Sequence, residues 1–217
     1  MFGLGKKLTI ADLPAPSLSE LKKRTKILVI DDDENSFPFE LLRREGYSIE
    51  HWPRVESLMA LEEGQYDVII LDIQGVAKHI SQDDGLGVLD LIKKTSPSQI
   101  VVAFSSHSFD LSKTRFWKMA DDSLCKPVDA ATCKRLIDNL IETKRTPHHY
   151  WSAIVDLLNS QGASPKQVAK TEDKVVRALR RKDASGLSEV LKHSLDNADI
   201  GVKAIGIGCK IVALLGL

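Results

Sequence analysis

Cysteine is scarce in this 217-residue chain: Cys125, Cys133 and Cys209 show neither close pairing nor metal-ligand spacing. That argues against a disulfide framework or a thiolate metal site, and makes a reduced, cytoplasmic setting the expectation. Internal repeats and low-complexity tracts are missing as well. Met1 to Ala11 is short and mixed, without the apolar core of a signal peptide. A long apolar run occurs only from Ile200 to Leu217, where Lys203, Lys210 and glycines at 201, 206, 208 and 216 interrupt it. So short a run with two internal lysines makes a poor membrane span. A helix buried against the rest of the tail or in a dimer is expected, with a peripheral membrane or partner-binding helix as the alternative.

Net charge is absent overall but unevenly distributed. Residues 26–129 hold 11 basic and 19 acidic residues, a net of −8, whereas residues 130–217 hold 14 basic and 9 acidic ones, a net of +5. An acidic part followed by a basic one suggests two functional units. Residues 1–25, with Pro14, Pro16 and the basic run Lys22-Lys23-Arg24, read as an arm or linker. Strand-like segments at 26–31, 47–51, 67–72, 99–105 and 122–125 then alternate with helical ones near 36–45, 54–64, 85–94, 109–119 and 130–144. Such alternation predicts an α/β unit over 26–145, a doubly wound parallel sheet with crossover helices. After Thr146-Pro147 the alternation stops, and helices near 149–159, 171–182 and 186–196 predict an all-helical region over 146–217.

Polar residues cluster where the apolar runs end. Asp31 and Asp32 follow Ile27-Leu28-Val29-Ile30, Asp72 follows Val68-Ile69-Ile70-Leu71, Ser105 follows Phe104, and Lys126-Pro127 follows Leu124-Cys125. In a parallel sheet these groups meet at the carboxyl edge, where open α/β sheets bind ligands. Three carboxylates in one cleft repel one another unless a hard cation compensates, and Mg²⁺ suits a few carboxylates, waters and phosphate oxygens. With a lysine and a hydroxyl beside them, such a site can hold a phosphoryl group while a carboxylate attacks phosphorus.

The segments ILVIDDD, VIILD, FSS and LCKP, in that order and at crossover intervals, resemble the receiver domain of two-component response regulators. Asp83-Asp84-Gly85, opening the helix LGVLDLIKK, and Ala120-Asp121-Asp122 before the fifth strand strengthen the likeness. It covers residues 26–145 and implies a flavodoxin-like five-stranded sheet in the order 2-1-3-4-5. It also implies Asp72 as phosphoacceptor, with self-phosphotransfer and later self-hydrolysis. Asp32 would hold Mg²⁺ directly, Asp31 would act through the water shell, and the backbone carbonyl of Gln74 would complete the set. Ser105 is implied as the hydroxyl that senses the phosphoryl group, and Lys126 as its cationic partner before a cis Pro127. A histidine kinase or phosphotransfer protein is the implied donor.

Departures from the family pattern are concentrated around the output. Ser123 stands where many members carry a switching aromatic ring, and residues 76–82 lengthen the loop after Asp72. Pro38 delays or shortens the first helical segment, near 36–45. Gln74 and His107, each two residues beyond a key position, are candidates for tuning the acyl phosphate lifetime. Residues 146–217 hold no recognised catalytic constellation, so output through protein association or a homodimer is expected. DNA binding through Lys174, Arg177, Arg180, Arg181 and Lys182 is the alternative, opposed by the long interval from Asn159 to Thr171, which leaves no tight turn. An adaptor that needs no phosphate is a third reading.

Overall fold

The computed structural model describes residues 8–106 and 114–217, with the backbone alone for 114–116. Its chain forms two compact units, one of residues 17–143 and one joining residues 1–16 to 144–217. Part of the arm is a helix of the first unit, α1 (Leu18–Arg24), whose Ser17 and Glu20 form a capping box and whose Leu21 is buried. Ile10–Asp12, a single 3₁₀ turn, belongs instead to the helical unit, where Glu172 accepts a hydrogen bond from the Ile10 N–H at 3.0 Å.

In the first unit, β1 (Lys26–Ile30), β2 (Ser48–Trp52), β3 (Val68–Asp72), β4 (Ile100–Ser105) and β5 (Asp122–Cys125) form one all-parallel sheet ordered β2-β1-β3-β4-β5. Leu28, Ile30, Ile69, Leu71, Val101 and Ala103 point to one face and pack with Val88, Leu89 and Ile92 of α4 (Gly85–Thr95). Alternate residues Ile27, Val29, Val68, Ile70, Val102 and Phe104 point to the other face and are also buried. Burial on both faces explains why the strands read as continuous apolar runs. The remaining helices are α2 (Phe39–Arg44), α3 (Leu58–Glu62), α5 (Thr114–Met119) and α6 (Ala130–Lys144). Pro38 caps α2, which therefore starts late, as its position foretold. The expected helix at 109–119 is described only from Thr114, and His107 lies outside the described residues.

The helical unit contains α7 (Pro147–Ser160), α8 (Pro165–Arg180), α9 (Ala184–Lys192) and α10 (Ala198–Leu215). Within it α8 packs on α9, α9 on α10 and α10 on α7. Ser164 caps α8 and exchanges hydrogen bonds with Gln167, so the helix starts at Pro165 rather than near 171. The α7–α8 connection is thus short, and the long interval expected between Asn159 and Thr171 does not exist. Among the described residues, no helix is long and apolar enough to cross a membrane. α10 buries Gly201, Ala204, Ile207, Gly208, Ile211 and Leu214 along one stripe, while Val202 is exposed.

Candidate functional site

Strand register alone brings two carboxylates together. Asp72 ends β3 and continues the face of Val68 and Ile70, while Asp31 continues that of Ile27 and Val29, so both project to the same side. The backbone of Asp31 is held by the Trp52 carbonyl, which accepts its N–H at 3.0 Å, and by a 2.8 Å bond between its own carbonyl and His51 Nε2. Lys126 follows β5 across a cis bond to Pro127 and reaches both acids. Its Nζ donates to Asp31 Oδ1 and to Asp72 Oδ2 at 2.7 Å each, 4.8 Å from the centre of the Phe104 ring. Asp31 is 0 % exposed and Asp72 6 %, so this is a buried cluster.

Each acid has a different environment. Asp31 is saturated: besides Lys126, Oδ1 accepts the Asp33 N–H at 3.0 Å and Oδ2 accepts the Ser36 hydroxyl. Asp72 Oδ1 accepts the Gln74 N–H at 3.2 Å. Asp32 is exposed, lines the cleft and has no hydrogen-bond partner among the described residues. Burial raises the Asp72 carboxyl above its ordinary value, outweighing the opposing pull of Lys126 and the Gln74 N–H, and the nearby Asp31 charge adds to the rise. Burial works against the charge on Lys126, but its hydrogen bonds to Asp31 and Asp72 prevail and raise its pKa. The ammonium therefore stays charged while the carboxylates compete for it.

One ammonium among three carboxylates leaves an excess of negative charge. Asp31, Asp32 and Asp72 each offer an oxygen within 4.8 Å of the others. An all-oxygen, anion-rich donor set fits a hard divalent cation such as Mg²⁺ and no soft metal.

Asp32, Asp72 and Lys126 open into a cleft of about 920 Å³, lined also by Ser36, Gln74, Lys78, Gln82, Asp84 and Ser106. Ser105 is not brought to that lining. It alternates to the face opposite Asp72 and is buried, whereas the next hydroxyl, Ser106, is exposed and lines the cleft. Ser123, in register with Ala103, is exposed on the edge strand β5. Ser36, Lys78 and Asp84 were not singled out from sequence as side chains of the site. The Asp-Asp-Gly signal at 83–85 did point to the place: Asp84 adopts φ 52°, and its carboxylate accepts the N–H groups of Gly75 at 2.6 Å and Ala77 at 2.7 Å. Gly85 beside it leaves no room for a side chain, because a Cβ would lie 2.3 Å from the Asp72 carbonyl oxygen.

No family model and no curated protein matches the sequence. Solved structures do match. A CheY-like receiver domain protein from Methanospirillum hungatei is 22% identical, with 55% of this chain and 95% of that one covered and a TM-score of 0.48. The receiver domain of NtrX from Brucella abortus is 30% identical over 54% of this chain and 98% of its own, at a TM-score of 0.46. TrrA of Thermotoga maritima, solved in complex with Mg²⁺-BeF, is 28% identical over 54% of this chain and 98% of its own, at 0.44.

Proposed function

We propose that residues 26–145 act as a response-regulator receiver domain, the kind of domain the matching solved structures are, and that Asp72 accepts a phosphoryl group from a phosphohistidine on a histidine kinase or phosphotransfer protein. The observation that carries this reading is the shared ammonium: Lys126 Nζ lies 2.7 Å from both Asp31 and Asp72. An Asp72 oxygen attacks phosphorus, the P–N bond of the donor breaks, and the imidazole leaves with the electron pair. Lys126 then pairs with a phosphoryl oxygen, which keeps the added charge tolerable in a buried place. The Gln74 N–H holds Asp72 oriented throughout. Asp32 and Asp72 would bind Mg²⁺ directly, with the Gln74 carbonyl, and Asp31 through the metal's water; the ion supplies charge neutralisation at the phosphoryl oxygens. The family pattern gives the sensing hydroxyl to Ser105, but that side chain lies outside the cleft lining, and Ser106, one residue further on, is the hydroxyl that faces the phosphoryl group there. Water attack on phosphorus later breaks the P–O bond and restores the carboxylate.

Phosphorylation would act on association of the helical unit with itself or with a partner protein. A second reading draws on α8, where Lys166, Lys170, Lys174 and Arg177, with Arg181 just past its end, are exposed at helical spacing and none makes an ion pair among the described residues. Such a stripe suits an anionic partner, and binding to duplex DNA that falls steeply with salt and is lost in Arg180→Ala/Arg181→Ala would favour it. The deciding experiment for the leading reading treats wild type and Asp72→Asn with a small acyl phosphate and Mg²⁺, then reads intact mass and oligomeric size. Wild type should gain one phosphoryl group and change its assembly, and Asp72→Asn should do neither. A wild type that gains no mass removes the phosphoacceptor.

A further inference from the structure

Two cations line the cleft, and only one is committed. Lys126 is bound to Asp31 and Asp72, whereas Lys78 is exposed and makes no hydrogen bond or ion pair among the described residues. Lys78 stands on the lengthened loop that follows β3, and that loop is firmly anchored. Val76 and Ala77 are fully buried, and the Val76 carbonyl accepts the Val55 N–H at 2.9 Å. The Ala77 N–H is held by Asp84, and the Ala77 carbonyl accepts the N–H groups of Ile80 and Ser81 at 2.9 Å each. His79 Nε2 lies 3.0 Å from the Val55 carbonyl. Lys78 is thus fixed at its backbone and free at its ammonium, in a cleft whose other lining charges, apart from Lys126, are carboxylates. A lysine that forms no pair there stabilises the fold little, but it changes the potential that an approaching anion meets.

We propose that Lys78 is a donor-binding residue, meeting the anionic phosphodonor at the rim of the cleft and guiding its phosphoryl group toward Asp72. This rests on the phosphoacceptor reading of Asp72. With acetyl phosphate as donor, an Asp72 oxygen bonds to phosphorus, the bond between phosphorus and the acetyl oxygen breaks, and acetate leaves with the electron pair. No proton moves in this step. Lys78 pairs with a non-bridging phosphoryl oxygen and offsets the repulsion between donor and carboxylates.

Acetyl phosphate and Mg²⁺ supplied to wild type, Lys78→Ala, Lys78→Arg and Lys78→Glu, with intact mass followed over time, test this directly. At low ionic strength Lys78→Ala should slow phosphorylation roughly threefold to tenfold and Lys78→Glu by more, through weaker donor binding rather than a lower saturated rate. Lys78→Arg should stay within about twofold, and high salt should compress all the differences. Equal rates for Lys78→Glu and wild type, both gaining mass, would overturn the role of Lys78 and leave Asp72 standing. Absence of mass gain in wild type would remove both.

Discussion

Two acid–base clusters of the receiver unit use the same residue types to opposite ends. Where Lys22 and Tyr47 lead into β1 and β2, Asp138 of α6 receives Lys22 Nζ at 2.9 Å, Lys134 Nζ at 2.8 Å and the Tyr47 hydroxyl. Burial alone would raise the Asp138 carboxyl, but its three donors hold it below the ordinary range. At the carboxyl edge the ratio is inverted, with one ammonium for Asp31, Asp32 and Asp72, and Asp72 moves upward instead. A surplus of donors makes a brace, and a surplus of acceptors makes a site that gains by binding a cation or transferring charge.

Removing Lys126 should widen this contrast most. Lys126→Met strands two buried carboxylates and should cost about 3–5 kcal/mol of unfolding free energy in urea at neutral pH. A loss under about 1 kcal/mol would mean the cluster is not anion-rich in solution. Mg²⁺ should act in the other direction. At about a hundredfold excess over Kd it should stabilise the unit by about 2.7 kcal/mol; chelation or Asp32→Asn should abolish the gain, and Asp138→Asn should leave it intact. A melting shift that survives Asp32→Asn would move the ion elsewhere.

Asp138→Asn should cost about 1 kcal/mol, since water still reaches part of this cluster. Its pH dependence follows from a depressed carboxyl. The stability Asp138 provides is complete above its unfolded value near 3.8 and is lost as pH falls through the lower folded value. Wild type and variant should therefore converge only in strong acid. Asp72→Asn has the smallest expected effect and the opposite sign, a gain of less than about 1 kcal/mol at neutral pH. Because the folded pKa of Asp72 lies above 3.8, that gain should shrink as pH falls through the folded value and vanish below the unfolded one. Chemical unfolding at several pH values checks both, and a destabilised Asp72→Asn would break the comparison.

Legibility of the sequence followed the same division. Asp31, Asp32, Asp72 and Lys126 could be read because each closes an apolar run, and in a parallel sheet the run fixes where its end lies. The strand order came with the family likeness. Ser36 and Lys78 could not be read, and Asp84 only by its place, because their roles depend on the path of a loop rather than on a repeat. Ser105 and Ser106 show the limit of strand reading, since one step past the end of β4 exchanges a buried hydroxyl for one that lines the cleft. The start of α8 was missed because apolar periodicity begins only near Thr171, while its signal is the polar pair Ser164 and Gln167.

Gly75 ties the loop to the cluster in a way that charge alone does not describe. It adopts φ 88°, donates to Asp84, and would place a Cβ 2.6 Å from Asp32 Oδ2. The obstructing atom is the tip of a movable side chain, so a methyl group there would displace the Asp32 carboxylate, and the left-handed backbone would add strain of its own. Gly75→Ala is therefore a steric wedge at Asp32: it would alter the arrangement of the three carboxylates while leaving their number unchanged.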